Sequence, residues 1–199
     1  KSIGFAVNPD DSDYFTTLYT SGAFSRDGEV VAPSGLNQAE LMFSKDLRSI
    51  DAFDKSPYLT NSSKLFDGGS GLVSNIDDYS KFAEMLLNGG ELNGVRILSQ
   101  ASIDLMSMNH LSDDILSDGA AFGLEGVGMG LTVGTIMDPG LAGTYSVMGE
   151  FFWGGAASTI FWVDKKNNVT ATMMTQYMPS DKYPLREELK TLLYSSLSN

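Results

Sequence analysis

The chain has 199 residues, of which 42% are hydrophobic and 19% are charged, a composition typical of a folded globular protein. Its 13 basic and 25 acidic residues give a net charge of −12, which argues against nucleic acid and anionic membrane surfaces as partners. The absence of cysteine excludes a disulfide framework, a thiolate nucleophile and a thiolate metal site, and it is compatible with either side of a membrane.

The first 70 residues mix short apolar pairs with Asp, Ser, Gly and Pro, which predicts turns and short extended segments. A clear helical signal begins at Ser74, which with Asp77 forms an N-cap signature. Asn88-Gly89-Gly90 is expected to end this helix. The apolar residues that share one face of it are Ile76, Tyr79, Phe82, Ala83, Leu86 and Leu87.

A hairpin and a second helix are predicted next. Asn93-Gly94 lies between Leu92 and Val95, which is the signal of a two-residue hairpin turn. Ser99 is a plausible N-cap for a helix that runs to about His110.

The rest of the chain has strand character followed by one helix. The Gly-rich segment 122–134 predicts an extended, bending backbone, and 158–163 and 169–176 predict two strands of a hairpin with both faces largely buried. Pro184, at a first helical position, opens a C-terminal amphipathic helix. Its apolar positions are Leu185, Leu189, Leu192, Leu193 and Leu197. A helix after an antiparallel hairpin indicates an α+β fold, in which the helix covers a sheet.

We therefore expect two regions in the chain. Residues 1–120 should form a loop-rich and helical region. Residues 121–199 should contain a three-stranded part of an antiparallel sheet and the C-terminal helix.

The familiar catalytic and ligand motifs are absent. His110 is the single histidine, no serine lies in a G-x-S-x-G elbow, and the end of a helix suits His110 for capping or packing. The acidic segment 111–119 lacks the ligand spacing of a calcium loop and is interpreted as a solvated loop. The glycines of 123–130 match neither dinucleotide nor P-loop spacing. Neither a metal nor a cofactor is expected.

Two longer stretches are informative. Gly-Gly-Ser-Gly-Leu-Val-Ser opens the stretch 68–111, and Gly149 to Ser180 contains Trp-Gly-Gly-Ala. Together they closely resemble the serine β-lactamase-like superfamily, which includes class C β-lactamases, D,D-peptidases and family VIII carboxylesterases. The resemblance implies an α+β fold with an antiparallel sheet covered by helices, of which this chain is similar to the C-terminal half.

The third motif of that superfamily is usually Lys-Thr-Gly, and here Trp153-Gly154-Gly155 stands in its place. This version resembles the carboxylesterase and acyltransferase branches. A Trp offers no charge-assisted donor for a substrate carboxylate and suits a neutral ester or acyl group. The resemblance implies that Trp153, Gly154 and Gly155 bind substrate and that the Ala156 backbone N–H is an oxyanion-hole donor. The alternative is that Trp153 is a core aromatic before a glycine bulge.

The nucleophile motif Ser-x-x-Lys is not found, because no lysine of this chain has a serine three positions earlier. Tyr19-Thr20-Ser21 matches a Tyr-x-Ser pattern only superficially, since it falls in the loop-like opening segment. We therefore expect a C-terminal fragment of a serine hydrolase that is inactive alone. The parent would be a carboxylesterase, with a β-lactamase, a D,D-peptidase or a non-catalytic binding module as alternatives.

The resemblance also sets expectations about partners and compartment. The substrate would be a small ester or acyl compound. The uncharged strand from Val169 is expected to pair with the missing N-terminal half or with a second copy of the chain. No membrane span is expected. The compartment is left open between bacterial cytoplasm and periplasm.

Overall fold

A computed structural model of the chain describes residues 3–20, 48–49, 58–59, 68–69, 71–117, 125–180 and 182–197. The helices are α1 (Ile76–Leu87), α2 (Gln100–Ser107), α3 (Asp113–Ser117), α4 (Pro139–Ala142) and α5 (Leu185–Ser196), and a 3₁₀ helix spans Pro9–Tyr14. The strands are β1 (Tyr19–Thr20), β2 (Arg48–Ser49), β3 (Glu91–Leu92), β4 (Val95–Arg96), β5 (Val127–Met129), β6 (Gly134–Ile136), β7 (Phe151–Gly154), β8 (Ile160–Asp164), β9 (Val169–Met173) and β10 (Tyr177–Met178).

The chain divides into two compact units. The first, here the small unit, comprises Lys1–Asp78, Gly155–Thr159 and Met174–Tyr183. The second, the main unit, comprises Tyr79–Gly154, Ile160–Met173 and Pro184–Asn199. The division expected between residues 120 and 121 lies outside the described residues.

The main unit is built on an antiparallel sheet with the strand order β5-β6-β7-β8-β9. The predicted order of the last three strands is confirmed, and β5 and β6 add two strands from the Gly-rich segment. All five residues of β8 are buried, as expected of an interior strand covered on both faces. The predicted strands at 158–163 and 169–176 are each shifted or shortened by two or three residues.

The two faces of this sheet carry different side chains because successive residues of a strand point to opposite sides. Phe151, Phe161 and Val163 face a core that contains Ala83, Met85 and Leu86 of α1 and Ile103 of α2. Phe152, Trp162 and Asp164 alternate with them and therefore belong to the face that α5 covers. The sheet thus lies between two helical layers, which confirms the predicted α+β class.

Helix α1 begins and ends close to the predicted positions, but its cap is Asn75. The Asn75 side-chain oxygen accepts from Asp78 N–H at 2.8 Å, whereas the Ser74 hydroxyl donates to the Asn75 carbonyl at 3.1 Å. The prediction of Ser74 as the cap was wrong by one residue. Gly89 and Gly90, at φ 67° and 94°, end the helix in the left-handed region that glycine tolerates.

The hairpin and the second helix are confirmed. Asn93 and Gly94 both have positive φ, 51° and 78°, as a type I′ turn between β3 and β4 requires. The Ser99 hydroxyl caps α2 by accepting from Ser102 N–H at 3.0 Å. The helix ends at Ser107 rather than near His110, because the His110 N–H pairs with the Met129 carbonyl of β5 at 2.8 Å.

Two further expectations need correction. The acidic segment predicted as a loop contains the short, exposed helix α3. Of the apolar positions expected to line α5, Leu192 is 69% exposed, and the buried residue of this helix is Lys190. Within the described ranges, no helix is both long and apolar enough to cross a membrane.

The small unit has a sheet of its own, with the order β10-β1-β2. Strand β1 runs parallel to β10 and antiparallel to β2. An isolated bridge pairs Gly4 with Val73.

Candidate functional site

Trp153 lies near the end of β7, on the same face of the sheet as Phe151. Its cross-strand partner is Phe161 of β8. Phe151 is completely buried, but Trp153 keeps 36% of its surface exposed. Trp153 is therefore not an interior core aromatic, and part of its indole is available to a ligand.

Aromatic residues of α1 pack against this end of the sheet. The Phe161 ring packs edge-on against Tyr79 at 5.5 Å and against Phe82 at 6.2 Å, and Phe161 itself is 5% exposed. Edge-to-face contacts of this kind add to the free energy of area burial. Burial raises the pKa of Tyr79, so its phenol is protonated at neutral pH. Phe161, the cross-strand partner of Trp153, and the two α1 rings therefore form an uncharged, apolar base at this end of the sheet.

Gly155 and Ala156 belong to the loop that follows β7. The Gly155 carbonyl accepts from Ser158 N–H at 3.1 Å, and the Gly155 N–H donates to the Thr159 carbonyl at 3.0 Å. Ser158 has a φ of 65°, which completes the pattern of a β-turn followed by one left-handed residue. Ala156 is thus the second residue of a tight turn.

This position leaves the Ala156 N–H outside the hydrogen bond that closes the turn, which Ser158 N–H makes to the Gly155 carbonyl. The hydrogen bond of a β-turn joins the carbonyl of its first residue to the N–H of its fourth residue, so the N–H of the second residue takes no part in it. Ala156 is exposed, and no hydrogen bond to its N–H occurs among the described residues. The amide is therefore available as a donor to a ligand oxygen.

The turn is held in place by hydrogen bonds to residues 175–177, which belong to the small unit together with the turn. Ser158, which is 2% exposed, donates its hydroxyl hydrogen to the Tyr177 carbonyl at 2.7 Å. The Ala157 carbonyl accepts from Tyr177 N–H at 3.2 Å and from the Thr175 hydroxyl at 2.6 Å. These bonds offset the strain of a non-glycine residue at positive φ and fix the orientation of the turn.

The sequence motif did not indicate these supporting residues. Ser158 and Thr175 donate their hydroxyl hydrogens to backbone carbonyls of distant residues, and Tyr177 uses only its backbone N–H. Single hydroxyl-to-backbone bonds of this kind leave no recognisable pattern in one sequence. The small size of residue 155 was the one available signal. A Cβ at Gly155 would lie 2.5 Å from Thr159 Oγ1, which explains why glycine is needed there.

The remaining candidates lie in structural positions. The His110 ring nitrogen bonds the Leu105 carbonyl at 2.8 Å, which agrees with the capping role expected of it. Tyr19 lies in β1, where its N–H donates to the Gln176 carbonyl at 2.8 Å, and Ser21 lies outside the described residues. No group of three or more His, Asp or Glu side chains that could hold a metal ion occurs in the described part of the chain.

An open cavity of about 440 Å³ lies in the main unit, between the segment joining β6 to β7 and helix α5. None of the predicted site residues lines it. Its lining residues are Pro139, Gly143, Thr144, Tyr145, Ser146, Glu187 and Thr191.

Comparison with known proteins identifies relatives that are similar in sequence. The uncharacterized protein MT1414 and protein Rv1367c, from two strains of Mycobacterium tuberculosis, are each 30% identical to the chain over 173 residues. The match covers 77% of this chain and 43% of each relative. The chain thus spans less than half the length of these relatives.

Solved structures share the fold. EstCE1, described as a hydrolase with promiscuous acyltransferase activity, has a TM-score of 0.69 at 21% identity, over 98% of this chain and 46% of its own. Simvastatin synthase (LovD) from Aspergillus terreus has a TM-score of 0.67 at 18% identity, over 100% of this chain and 47% of its own. The model of the β-lactamase family matches residues 3–194. The chain therefore belongs to the β-lactamase family, whose fold serves hydrolases and acyltransferases.

Proposed function

We propose that the chain is the C-terminal part of a serine hydrolase that acts on neutral esters by acyl transfer. The attacking serine, its lysine and the assisting tyrosine would come from a segment that this chain does not span. The chain would contribute one wall of the acyl site and one oxyanion donor. The observation that carries the proposal is the partly exposed Trp153 on an apolar base, where the family usually has Lys-Thr-Gly.

The presence of Trp153 where related enzymes have a lysine favours a neutral substrate. A β-lactam or a D-Ala peptide presents a carboxylate, which a lysine at this position would pair with. Trp153 supplies an apolar surface instead, and Phe161, Tyr79 and Phe82 behind it add no positive charge. An uncharged acyl group is desolvated there without leaving a charge unpaired.

The turn supports acyl transfer. A tetrahedral intermediate develops negative charge on the former carbonyl oxygen, and a fixed N–H aimed at that oxygen stabilises it more than it stabilises the substrate. The Ala156 N–H would meet the requirement for a fixed donor, because the next two residues, Ala157 and Ser158, are bonded to residues 175–177.

Substrate preference of the complete gene product tests the esterase assignment. We expect turnover of p-nitrophenyl butyrate and little turnover of a chromogenic cephalosporin. Strong cephalosporin turnover without ester turnover would contradict the proposal and favour a β-lactamase or a D,D-peptidase.

A non-catalytic binding module is the second candidate, and the absence of Ser-x-x-Lys from this chain is the observation that favours it. The nucleotide sequence upstream of the Lys1 codon separates the two. An intact Ser-x-x-Lys in the same reading frame supports the enzyme. A natural start codon close to Lys1 supports the module.

We further propose that another polypeptide segment completes the main sheet at β9. Among the described residues β9 pairs on one side only, with β8. The residues of β9 are half-buried and uncharged, whereas exposed edge strands are usually protected by charge or proline. The occupant would be the preceding segment of the longer protein or, in its absence, a second copy of this chain.

Size-exclusion chromatography with light scattering tests whether β9 pairs with another polypeptide segment. We expect the chain alone to self-associate and to form a one-to-one complex when it is co-expressed with the segment that precedes it. Thr172→Lys on β9 should reduce self-association, and Val95→Lys on the 63%-exposed position of β4 should not. A monomeric chain that does not bind the preceding segment would contradict the proposal.

A further inference from the structure

Helix α5 is attached to the main sheet through buried ionisable groups. Glu150, immediately before β7, and Asp164, at the end of β8, are both completely buried. Lys190 and Tyr194 lie four residues apart on α5 and therefore on one face of it. Lys190 Nζ donates to Glu150 Oε1.

The hydroxyl of Tyr194 lies between the two carboxyl groups. Its oxygen is 2.6 Å from Glu150 Oε2 and 2.8 Å from Asp164 Oδ2. A phenol has a single hydrogen and can donate to only one of them. Two bare acceptors at such a distance repel each other, so the second contact requires another hydrogen. One of the carboxyl groups must therefore be protonated.

The surroundings indicate which group holds this proton. Asp164 accepts from Asn167 N–H at 3.0 Å and from Asn167 Nδ2 at 2.6 Å, so both of its carboxyl oxygens already act as hydrogen-bond acceptors. Burial raises the pKa of Glu150, although Lys190 opposes part of that effect. With Lys190 charged, a neutral Glu150 and a charged Asp164 leave the cluster with no net charge.

We propose that Glu150 holds a proton that it donates to the Tyr194 oxygen, while Tyr194 donates to Asp164, and that this proton keeps α5 attached to the sheet. The arrangement is a pH-sensitive latch built into the fold. The latch would fail at alkaline pH, because deprotonation of Glu150 leaves the buried cluster of two carboxylates and one ammonium with a net negative charge.

On the neighbouring elements, the further cations are Arg186, one turn before Lys190 on α5, and Lys165, next to Asp164 in the chain. The Lys190 ammonium lies 5.4 Å from the ring centre of Trp162 and 5.8 Å from that of Phe152. Burial and the neighbouring carboxyl groups raise the pKa of Tyr194, which keeps its hydroxyl protonated. Lys165, next to Asp164 in the chain, pairs with Asp104 of α2 at 2.9 Å, on the opposite face of the sheet.

The sign of the pH dependence follows from Glu150. Its folded-state pKa lies above its unfolded-state value, so the native chain holds more protons than the unfolded chain between those two values. The stabilisation is complete below the unfolded-state pKa. It is lost as the pH rises through the folded-state pKa.

Infrared spectroscopy in heavy water near neutral pH tests the assignment directly. The folded chain should show the carbonyl absorption of a buried protonated carboxyl group. Glu150→Gln should remove it, and Glu188→Gln, at an exposed position of α5, should leave it unchanged. Absence of the band in the wild-type chain would overturn the proposal. So would a band that survives Glu150→Gln and disappears in Asp164→Asn.

Urea unfolding at several pH values tests the latch. The wild-type midpoint should fall as the pH rises through the folded-state pKa of Glu150, and the Glu150→Gln midpoint should stay nearly constant over the same range, because glutamine mimics the protonated acid. If Glu150→Gln does not fold, the wild-type band decides: it must titrate together with the fluorescence of the buried Trp162. A band that titrates without any change in that fluorescence would contradict the latch.

Discussion

At the scale of single residues, the candidate site depends on small side chains beside one large one. In the proposed site, Gly155 and Ala156 would let a substrate approach the turn, and Trp153 would provide an apolar surface. The two kinds of residue can be tested independently, because Gly155 supports the backbone of the turn, whereas Trp153 is proposed to contact the substrate.

Replacing Trp153 with Lys in the complete gene product should lower kcat/KM for neutral esters by about tenfold or more, because an ammonium would enter an apolar surface. Trp153→Phe is the matched control and should retain most of the activity. Steady-state kinetics with p-nitrophenyl butyrate measures both. Unchanged ester turnover in Trp153→Lys would show that residue 153 does not line the acyl site.

Gly155→Ala should destabilise the chain by about 1–3 kcal/mol, because the added methyl group overlaps Thr159 Oγ1 inside the turn. Gly68→Ala is the matched control, since a Cβ there meets no atom within 4 Å. Urea unfolding followed by circular dichroism gives both values. Equal stability of the two variants would contradict the described turn.

At the scale of elements, two leucines that the helical pattern placed on apolar helix faces differ in their burial. Leu86 of α1 is 1% exposed, and Leu192 of α5 is 69% exposed. Leu86→Ala should cost about 2–5 kcal/mol through lost contacts and the cavity left behind. Leu192→Ala in this chain should change stability by less than about 0.5 kcal/mol. Unfolding midpoints decide, and a large cost at Leu192 would show that α5 buries a different face.

Short sequence motifs correctly predicted the turns and helix caps whose hydrogen bonds involve only neighbouring residues. The Asn93-Gly94 turn and the Ser99 cap are confirmed because each depends on a few adjacent residues. Strands β5 and β6 were not resolved as separate strands because each has only three residues, too few to show an alternating pattern. The burial of Lys190 depends on Glu150, which lies 40 residues earlier, and a sequence pattern does not show such a pairing.

At the scale of the whole molecule, the resemblance of two stretches predicted the family and the α+β class, and both are confirmed. The site residues stay a prediction, since their roles depend on a substrate and on catalytic groups from elsewhere. The sequence motif located Trp153, but only the fold showed its exposure and an Ala156 amide without an acceptor among the described residues.

The central claim is that this chain carries the substrate-facing strand and turn of a hydrolase whose nucleophile lies elsewhere. Labelling with a fluorophosphonate probe, followed by peptide mapping, tests it most directly, because the probe reacts with an activated serine. We predict no labelling of the 199-residue chain alone. In the complete gene product, the label should map to the serine of a Ser-x-x-Lys motif outside this chain. Stoichiometric labelling of a serine within the chain, or no labelling of the complete protein, would contradict the account.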